Sequence, residues 1–341
     1  MHRTVTKRIK IINKEKSQDS LPIIVVTMAT SRQGRSLVKK ISESGKFFVR
    51  AMTRRPTSKE AKLLGSMTNV EIVKGDLLDF DSLKTSFEDA YGIFGNTTPT
   101  KEWGMDLSYE KAQGINLIKA VEKQFEKGKL KHFVFSSICK SSVPNGNNNA
   151  PGHFSNKWEI EDVISQRDIS KITTILRPSS YYENFLNFLP YTKITETVLP
   201  GVVKASSTWQ TLSVEDIGEW GYAAFKNPTK FIGVSLNLAS EQMNGIEMAE
   251  VLQKLRGSRT KVIKYKMIPR ILINLIEKDI GVMATWIEQK GYGADIKYLR
   301  QLAYDFDIKM TSFSSWLKNN DPVYTQLKSK SKLKSYQYHI T

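Results

Sequence analysis

The chain has 341 residues, of which 40% are hydrophobic and 25% are charged, as in an ordinary globular protein. Its apolar runs are far shorter than the roughly 20 residues of a membrane helix, so neither a membrane segment nor a membrane partner is expected. The single cysteine, Cys139, excludes an intramolecular disulfide framework. The four histidines are widely spaced and form no local ligand motif, so no metal site is predicted.

Lysine and arginine (51) exceed aspartate and glutamate (34) by 17 charges. Residues 1–20 hold six basic and two acidic groups (+4), and residues 322–341 add four lysines without an acid (+4). The rest of the excess is spread along the chain and no nucleic-acid motif accompanies it, so nucleic acid is not the expected partner. The basic start lacks the apolar segment of a secretory signal. We expect a cytoplasmic location, extending to the nucleus, and a mitochondrial transit peptide is the alternative.

From residue 21 onward, short β-branched runs alternate with longer amphipathic stretches. Strands are predicted at 23–27, 47–52, 70–74, 92–96, 132–136 and 172–176, and helices between them at 34–44, 82–90, 109–127 and 156–166. This alternation predicts an α/β fold, with a Rossmann-type doubly wound parallel sheet. Two more helices are predicted at 214–225 and 246–255.

The rhythm changes after Pro178, which suggests a division of the chain. We expect a basic, disordered N-terminus (1–20), a Rossmann domain (21–185), a smaller α+β C-terminal lobe that contributes to the cleft (186–320), and a Lys/Ser-rich tail (321–341). Residues 141–150, with three consecutive asparagines, are predicted to be a loop.

The first strand runs into a turn of the kind that binds phosphate, Thr27-Met28-Ala29-Thr30-Ser31-Arg32-Gln33-Gly34. In a Rossmann unit this turn places backbone amides and a helix N-terminus against a pyrophosphate. Of a G-x-x-G-x-x-G frame only Gly34 is present, with Met28 and Ser31 at the other two places. By itself, the turn fits a pyrophosphate site and an ordinary strand-to-helix turn equally well.

The second strand is followed by Thr53-Arg54-Arg55-Pro56. NAD-binding proteins usually carry an acid here for the ribose hydroxyls, whereas arginine forms charge-assisted bonds to a 2′-phosphate. Arg54 therefore indicates NADP(H) rather than NAD(H). A solvated basic turn is the alternative.

Polar residues also follow the third, fourth and fifth strands. Ligands of open α/β sheets bind beyond these strand ends. We therefore expect Asp76 near the adenine, and Thr97 and Thr98 near the pyrophosphate or the nicotinamide ribose. For Asp76 a helix N-cap is an equal alternative. Ser136 and Ser137 are interpreted as helix caps rather than as groups beside the nicotinamide.

Taken together, these segments resemble the NmrA-like family of atypical short-chain dehydrogenase/reductases, the NmrA-type oxidoreductases. The resemblance runs through much of residues 21–320, in segments 28–34, 49–56, 74–77, 110–116, 132–137, 153–157, 177–178 and 181–184. It implies an NADP-binding Rossmann domain with a smaller lobe. It further implies that NADP(H) is bound by Met28, Ala29, Thr30, Ser31, Arg32, Gln33, Arg54, Asp76, Leu77, Thr97, Thr98, Pro99, Lys157, Tyr181, Tyr182, Glu183 and Asn184.

Active short-chain dehydrogenases use a Tyr-x-x-x-Lys pair on one helix face, in which the lysine lowers the pKa of the tyrosine that exchanges a proton. In this chain the frame reads His153-x-x-x-Lys157. Imidazole exchanges protons near neutral pH, so His153 and Lys157 are the candidate catalytic residues. A structural role for His153 is the alternative.

These features predict an NADP(H)-binding redox sensor or regulator of a protein partner, with little dehydrogenase activity. The first alternative is an NADPH-dependent reductase of a quinone or another small carbonyl compound. A second is a nucleic-acid binder that uses the basic ends. In a sensor, residues 140–152 are the segment expected to order when the cofactor docks.

Overall fold

The computed structural model describes residues 21–101, 104–142, 148–187, 193–258, 260–326 and 328. The predicted N-terminal segment (1–20), the middle of the Asn-rich loop (143–147) and most of the Lys/Ser-rich tail (329–341) lie outside these residues. In the described part of the chain, no helix combines the length and the apolar character needed to cross a membrane.

The strands and helices follow one another along the whole described chain. The strands are β1 (Ile23–Val26), β2 (Phe48–Thr53), β3 (Val70–Lys74), β4 (Gly92–Asn96), β5 (Thr100–Lys101), β6 (Gly104–Met105), β7 (His132–Ser136), β8 (Thr173–Pro178), β9 (Ser180–Tyr181), β10 (Val198–Gly201), β11 (Trp209–Leu212), β12 (Ser235–Leu238), β13 (Glu241–Met243) and β14 (Lys264–Met267). The helices are α1 (Arg32–Ser44), α2 (Lys59–Gly65), α3 (Phe80–Ser86), α4 (Leu107–Glu126), α5 (Gly152–Ser165), α6 (Asn184–Asn187), α7 (Val214–Lys226), α8 (Pro228–Phe231), α9 (Gly245–Arg256), α10 (Arg270–Ile276), α11 (Lys278–Lys290), α12 (Ile296–Asp305) and α13 (Phe313–Asn320).

Seven strands form the central sheet in the order β3-β2-β1-β4-β7-β8-β12, and every neighbouring pair is parallel. The order reverses direction between β1 and β4, which is where open α/β sheets bind ligands. This arrangement confirms the predicted Rossmann-type fold. All six predicted strands are present within two residues of their expected bounds.

Helices cover both faces of the sheet because its strands are apolar on both sides. On one face α1 and α7 bury Leu37, Ile41 and Trp220. On the other face, helices α3, α4 and α5 bury Leu83, Leu117, Ile160 and neighbouring apolar side chains. The strand C-termini therefore open onto one edge, where the polar residues that follow them gather.

The smaller lobe has its own core and its own short sheets. Strands β10 and β14 pair in parallel, and β13, β11 and β9 form a three-stranded sheet. Helices α9, α11 and α13 pack there around Leu252, Trp286 and Phe313. The lobe is thus α+β, but it is not one continuous stretch of chain.

The sequence placed all of residues 186–320 in the smaller lobe, and the structure corrects this. Helix α7 packs on α1, β12 extends the central sheet beside β8, and α12 contributes Leu299 and Ala303 to the core under α1. The physical reason is the long apolar face of α7, which matches the face that α1 leaves open. The predicted tail, which begins at residue 321, also starts too early. Asp321 is fully buried, and its carboxylate accepts from Nε and Nη2 of Arg256 at 2.7 and 2.5 Å.

His132 lies buried at the start of β7, with Nε2 2.8 Å from the hydroxyl of Thr174. Its Nδ1 is buried without a hydrogen-bond partner among the described residues. Burial lowers the pKa of His132 to about 4, so the folded protein holds the imidazole neutral. An unfolded histidine titrates near 6.5, and the two states therefore bind different numbers of protons below that pH.

We expect this difference to destabilise the protein as the pH falls. The contribution of His132 is complete above pH 6.5 and decreases towards pH 4, by about 2 kcal/mol at pH 5. Asp216, whose pKa burial raises to about 6, acts in the opposite sense. Melting temperatures of the wild type and His132→Gln at pH 7 and pH 5 isolate the histidine, since both proteins keep Asp216. Between pH 7 and pH 5, the melting temperature of His132→Gln should fall less than that of the wild type. An equal fall in both proteins would contradict the assignment of this pH dependence to His132.

Candidate dinucleotide-binding site

The turn after β1 leads directly into helix α1. Met28 takes a left-handed backbone conformation with φ of 48°, and the amide of Ala29 donates to the carbonyl of Met52 at 2.9 Å. Ser31 is the N-cap of α1 and accepts from the amide of Gly34 at 3.1 Å. The first turn of α1 thus begins directly at the strand edge, as it does where a helix N-terminus faces an anion.

Gly34 is the one glycine of the frame that packing makes necessary. A Cβ at this position would lie 2.4 Å from the carbonyl oxygen of Met28, which is a backbone atom and has little room to move. The sequence retains glycine where α1 touches the turn, while Met28 tolerates its unusual φ as a non-glycine residue.

Gly34→Ala should therefore damage both the turn and the site. We expect the melting temperature to fall and dinucleotide binding to be lost, because overpacking of this kind costs typically 1–3 kcal/mol and shifts the backbone. Gly221→Ala is a matched control, because its Cβ would meet the end of the flexible Leu37 side chain at 3.1 Å. Thermal unfolding and calorimetric titration measure the two effects. Normal binding by Gly34→Ala would show that the turn does not hold the ligand.

A cavity of about 330 Å³ opens beyond β1, β2 and β3. Its lining residues combine the turn, both arginines after β2 and two residues of α4; they are Met28, Thr30, Ser31, Met52, Thr53, Arg54, Arg55, Ser58, Glu60, Gly75, Asp76, Leu77, Thr98, Tyr109 and Gln113. Arg54 is exposed, and its Nη1 donates to the hydroxyl of Tyr109 at 2.8 Å. The cavity therefore brings together six of the predicted cofactor residues beside Arg54.

Asp76 lies in the cavity wall and does not cap a helix. Its carboxylate accepts from the amide of Leu78 at 3.0 Å, and its own amide donates to the hydroxyl of Ser82 at 2.9 Å. The N-cap of α3 is Asp79, which accepts from the amides of Asp81 and Ser82. The alternative interpretation of Asp76 is therefore removed.

A hydrogen-bonded chain crosses the strand ends on the other side of the turn. The hydroxyl of Ser136 donates to Gln33 Oε1 at 2.6 Å, and Gln33 Nε2 donates to the hydroxyl of Tyr181 at 2.7 Å. Burial raises the pKa of Tyr181, so the phenol stays protonated. Neither Ser136 nor Ser137 caps a helix of the described chain, since the next helix, α5, begins at Gly152 and has Pro151 at its N-cap. The interpretation of these serines as caps was wrong.

Lys157 lies where α5 approaches the ends of β4 and β7. Its Nζ is 3.0 Å from both the carbonyl oxygen and the hydroxyl of Thr97, and 3.3 Å from Oε1 of the fully buried Glu110. Burial lowers the pKa of Lys157, and the carboxylate of Glu110 partly offsets this effect. The ammonium group thus belongs to an internal network that also reaches Thr97, one of the predicted site residues.

His153, one turn before Lys157, is held from the smaller lobe. Its Nδ1 contacts Oδ2 of Asp279, in the first turn of α11. The side chain is 14% exposed, so the ring is largely enclosed. The predicted pair on α5 therefore exists as two neighbouring side chains, each with its own acidic partner.

Several predicted residues lie elsewhere. Tyr182 is fully buried and packs against Phe313 and Trp316. Glu183 accepts from the hydroxyl of Ser213 and from the indole of Trp316 at 2.9 and 3.0 Å, which ties α13 to the start of α7. Both side chains are thus engaged by the smaller lobe, and their assignment to the cofactor stays a prediction.

Four further predictions have different surroundings. Arg32 faces a separate groove on the outer side of α1, and Ala29 is buried beneath the turn. Pro99 accepts through its carbonyl from the amide of Asp106, and Asn184 lines a small cavity of about 30 Å³ beside Tyr181. None of these four residues lines the cavity beyond β1, β2 and β3.

Sequence reasoning missed four side chains of the site. Tyr109 and Gln113 face the cavity from α4, and their spacing of four residues is the signal that places them on one helix face. Glu110 lies in the segment that carried the family resemblance but had no assigned role. Asp279 had no signal, because 126 residues separate it from His153.

With the geometry known, comparison with other proteins decides the family. A family model described as NmrA-like matches residues 22–317. The chain belongs to the NmrA-like family. The resemblance inferred from the sequence is therefore confirmed.

The relatives and the solved structures agree with this membership. An NmrA-like family domain-containing protein of Dictyostelium discoideum is 25% identical over 86% of this chain and 96% of its own length. An NmrA-like family domain-containing oxidoreductase of Cladobotryum is 29% identical over 48% of each chain.

Solved structures of similar fold include complexes with NAD, NADP and NADPH. NmrA, a negative transcriptional regulator, in complex with NADP has a TM-score of 0.68 at 19% identity, and covers 90% of this chain and 98% of its own. An NADPH-dependent quinone oxidoreductase of Escherichia coli complexed with NADPH has a TM-score of 0.64 at 17% identity, with coverages of 86% and 98%. At these identities the likeness is one of fold.

Proposed function

We propose that this NmrA-like protein binds NADP(H) and acts as a redox sensor or regulator of a protein partner, with little dehydrogenase activity. The observation that carries the proposal is the cavity beyond β2, whose lining includes the exposed side chains of Arg54 and Arg55. Arginine after the second strand is suited to bind the 2′-phosphate of NADP(H) in this architecture. Structures of similar fold with NADP and NADPH support it.

The residues around the cavity are suited to bind successive parts of a dinucleotide. The amides at the start of α1 suit the pyrophosphate, and Arg54 suits the 2′-phosphate. Asp76 and Leu77 border the adenine end, while Thr98 leads towards the ribose of the nicotinamide and Lys157. NADPH, when bound, supplies a hydride; the protein's own groups decide whether a proton can follow it.

The low activity follows from the side chains on α5. A tyrosine is absent from position 153, and the His153 ring there is tied to Asp279. Lys157 is engaged by Thr97 and Glu110 rather than by a neighbouring phenol. A site with these partners is suited to hold the cofactor more than to transfer protons at a high rate.

A reductase is the second candidate, and one observation favours it. Nε2 of His153 has no hydrogen-bond partner within the described ranges, so an imidazolium can donate from this nitrogen. In such a reaction NADPH would supply a hydride to the carbonyl carbon of the substrate. The imidazolium of His153 would give its Nε2 proton to the carbonyl oxygen and become neutral, so the products would be NADP⁺ and the reduced substrate, an alcohol or, from a quinone, a hydroquinone.

Two measurements separate these functions. Calorimetric titration with NADPH, NADP, NADH and NAD should give tighter binding of the two phosphorylated forms. Consumption of NADPH is then followed with a panel of quinones. Turnover of the order of 1 to 1,000 per second would favour the reductase over the sensor.

The sensor also requires a response to the redox state. A ligand shifts a conformational equilibrium only through its different affinity for the two forms, so NADPH and NADP must act differently at saturation. Limited proteolysis with each cofactor tests this. The sensor predicts two different cleavage patterns, whereas one common pattern would reduce the protein to a cofactor-binding module.

A further inference from the structure

Asp279 makes an unusual set of contacts with the start of the cofactor-site helix α5. Oδ1 accepts from the amide of Gly152 at 2.7 Å, and Oδ2 accepts from the amide of His153 at 3.1 Å as well as contacting its Nδ1. Pro151, at the N-cap position of α5, provides no side-chain cap. The carboxylate therefore caps α5 from a residue 127 positions away in the smaller lobe.

The same carboxylate decides which nitrogen of the ring carries a proton. Burial alone raises the pKa of Asp279, but the hydrogen bonds from His153 and the two amides outweigh it and hold the pKa below its usual value. An ionised carboxylate only accepts hydrogen bonds, so Nδ1 of His153 must be the protonated nitrogen in the neutral ring. Nε2 is then the nitrogen left without a partner among the residues that the structure describes.

Packing keeps the ring in this orientation. Phe154 meets the His153 ring edge to face at 4.7 Å, and it also meets Trp286 of α11 at 5.3 Å. The ring thus has a wall of aromatic side chains and a carboxylate on one side. Lys157, four residues further along α5, shares its helix face and lies at the strand ends of the candidate site.

We infer that Asp279 is a positioning residue, which holds the protonated Nδ1 of His153 towards the smaller lobe and leaves Nε2 for a ligand at the nicotinamide end of the site. In the neutral ring Nε2 accepts a hydrogen bond, as from a carboxamide NH₂ group, and in the protonated ring it donates to a carbonyl oxygen. The partner is the carboxamide of the cofactor or the carbonyl group of a substrate. The orientation of the ring is inferred from contacts within the protein, whereas the identity of its ligand depends on the proposed NADP(H) site.

The ring nitrogens can be observed directly by ¹⁵N NMR. The chain has four histidines, so the signals of His153 are assigned by their loss in His153→Gln. At mildly alkaline pH, we expect a protonated Nδ1 and an unprotonated Nε2 in the free wild type. A protonated Nε2 in that spectrum would overturn the positioning role, whether or not NADPH binds.

Asp279→Asn supplies the decisive change. Its amide oxygen still caps α5, but its NH₂ group can only donate, so the neutral ring should switch to a protonated Nε2. Asp295→Asn is the matched control, because Asp295 caps α12 through the amide of Tyr298 at 3.0 Å. The control should keep the wild-type ring signals. An unchanged ring in Asp279→Asn with a normal melting temperature would contradict the inference.

Ligand binding forms the last arm of the test. NADPH alone should shift the Nε2 signal if the carboxamide is the partner, and a shift only after NADP and a quinone are both added identifies the substrate carbonyl. Calorimetry on the same sample reports cofactor binding separately. Confirmed binding without any shift of Nε2 in either mixture would overturn the ligand assignment, whereas absent binding would count against the proposed function alone.

Discussion

Arg54→Ala should weaken NADPH binding about ten- to hundred-fold, because a hydrogen bond to a charged group contributes about 1.5–3 kcal/mol. Arg54 is exposed in the cavity wall, and the hydroxyl of Tyr109 fixes its Nη1 at 2.8 Å. The remaining donors of the guanidinium are available to a 2′-phosphate. NADH lacks that phosphate, so its affinity should hardly change, and calorimetric titration of both cofactors measures the difference.

Two further variants make this result specific. Arg35→Ala removes an exposed arginine of α1 that borders the outer groove rather than the cavity, so its NADPH affinity should equal that of the wild type. Tyr109→Phe leaves the charge of Arg54 in place but removes the hydroxyl that orients it. This variant should therefore weaken NADPH binding less than Arg54→Ala does. If wild-type protein bound NADH as tightly as NADPH, Arg54 would have no part in cofactor choice.

The strands of the central sheet were predictable because they are buried on both faces and therefore appear as short apolar runs. The same signal missed β12, where Ser235 and Asn237 interrupt the apolar residues. Helices α1 and α7 were both predicted from their patterns. Their packing against each other was not predictable, because a contact between distant parts of the chain leaves no local signal in the sequence. For this reason the predicted lobe boundary was wrong.

The residues of the candidate site were likewise predictable only where their position depends on local sequence. Residues that follow a strand, such as Arg54 and Asp76, were placed correctly in the cavity because parallel strands end at one edge. Tyr182 and Glu183 also follow a strand, yet their side chains are taken up by the smaller lobe. Asp279 and its contact with His153 depend on the docking of α11, which no spacing in the sequence encodes.

Lys157→Met should have two separable effects. The ammonium group is 3.3 Å from Glu110, whose side chain is fully buried and whose Oε2 has no hydrogen-bond partner in the described structure. Removing one partner of a buried ion pair costs about 3–5 kcal/mol, because the other charge stays buried without compensation. We therefore expect a lower free energy of unfolding, measured by denaturant titration, together with NADPH affinity reduced roughly ten- to hundred-fold.

The double variant Lys157→Met with Glu110→Gln distinguishes the two effects. Glutamine keeps an oxygen that can accept from the hydroxyl of Thr97, as Glu110 does at 3.0 Å, and it removes the uncompensated charge. Stability should return towards that of the wild type, while NADPH binding stays weak because the cation is still missing. Glu110→Gln alone retains Lys157 and should bind NADPH more tightly than the double variant, although it also leaves a buried charge without its partner and should lose stability. A double variant that bound NADPH like the wild type would show that Lys157 serves the fold and not the cofactor.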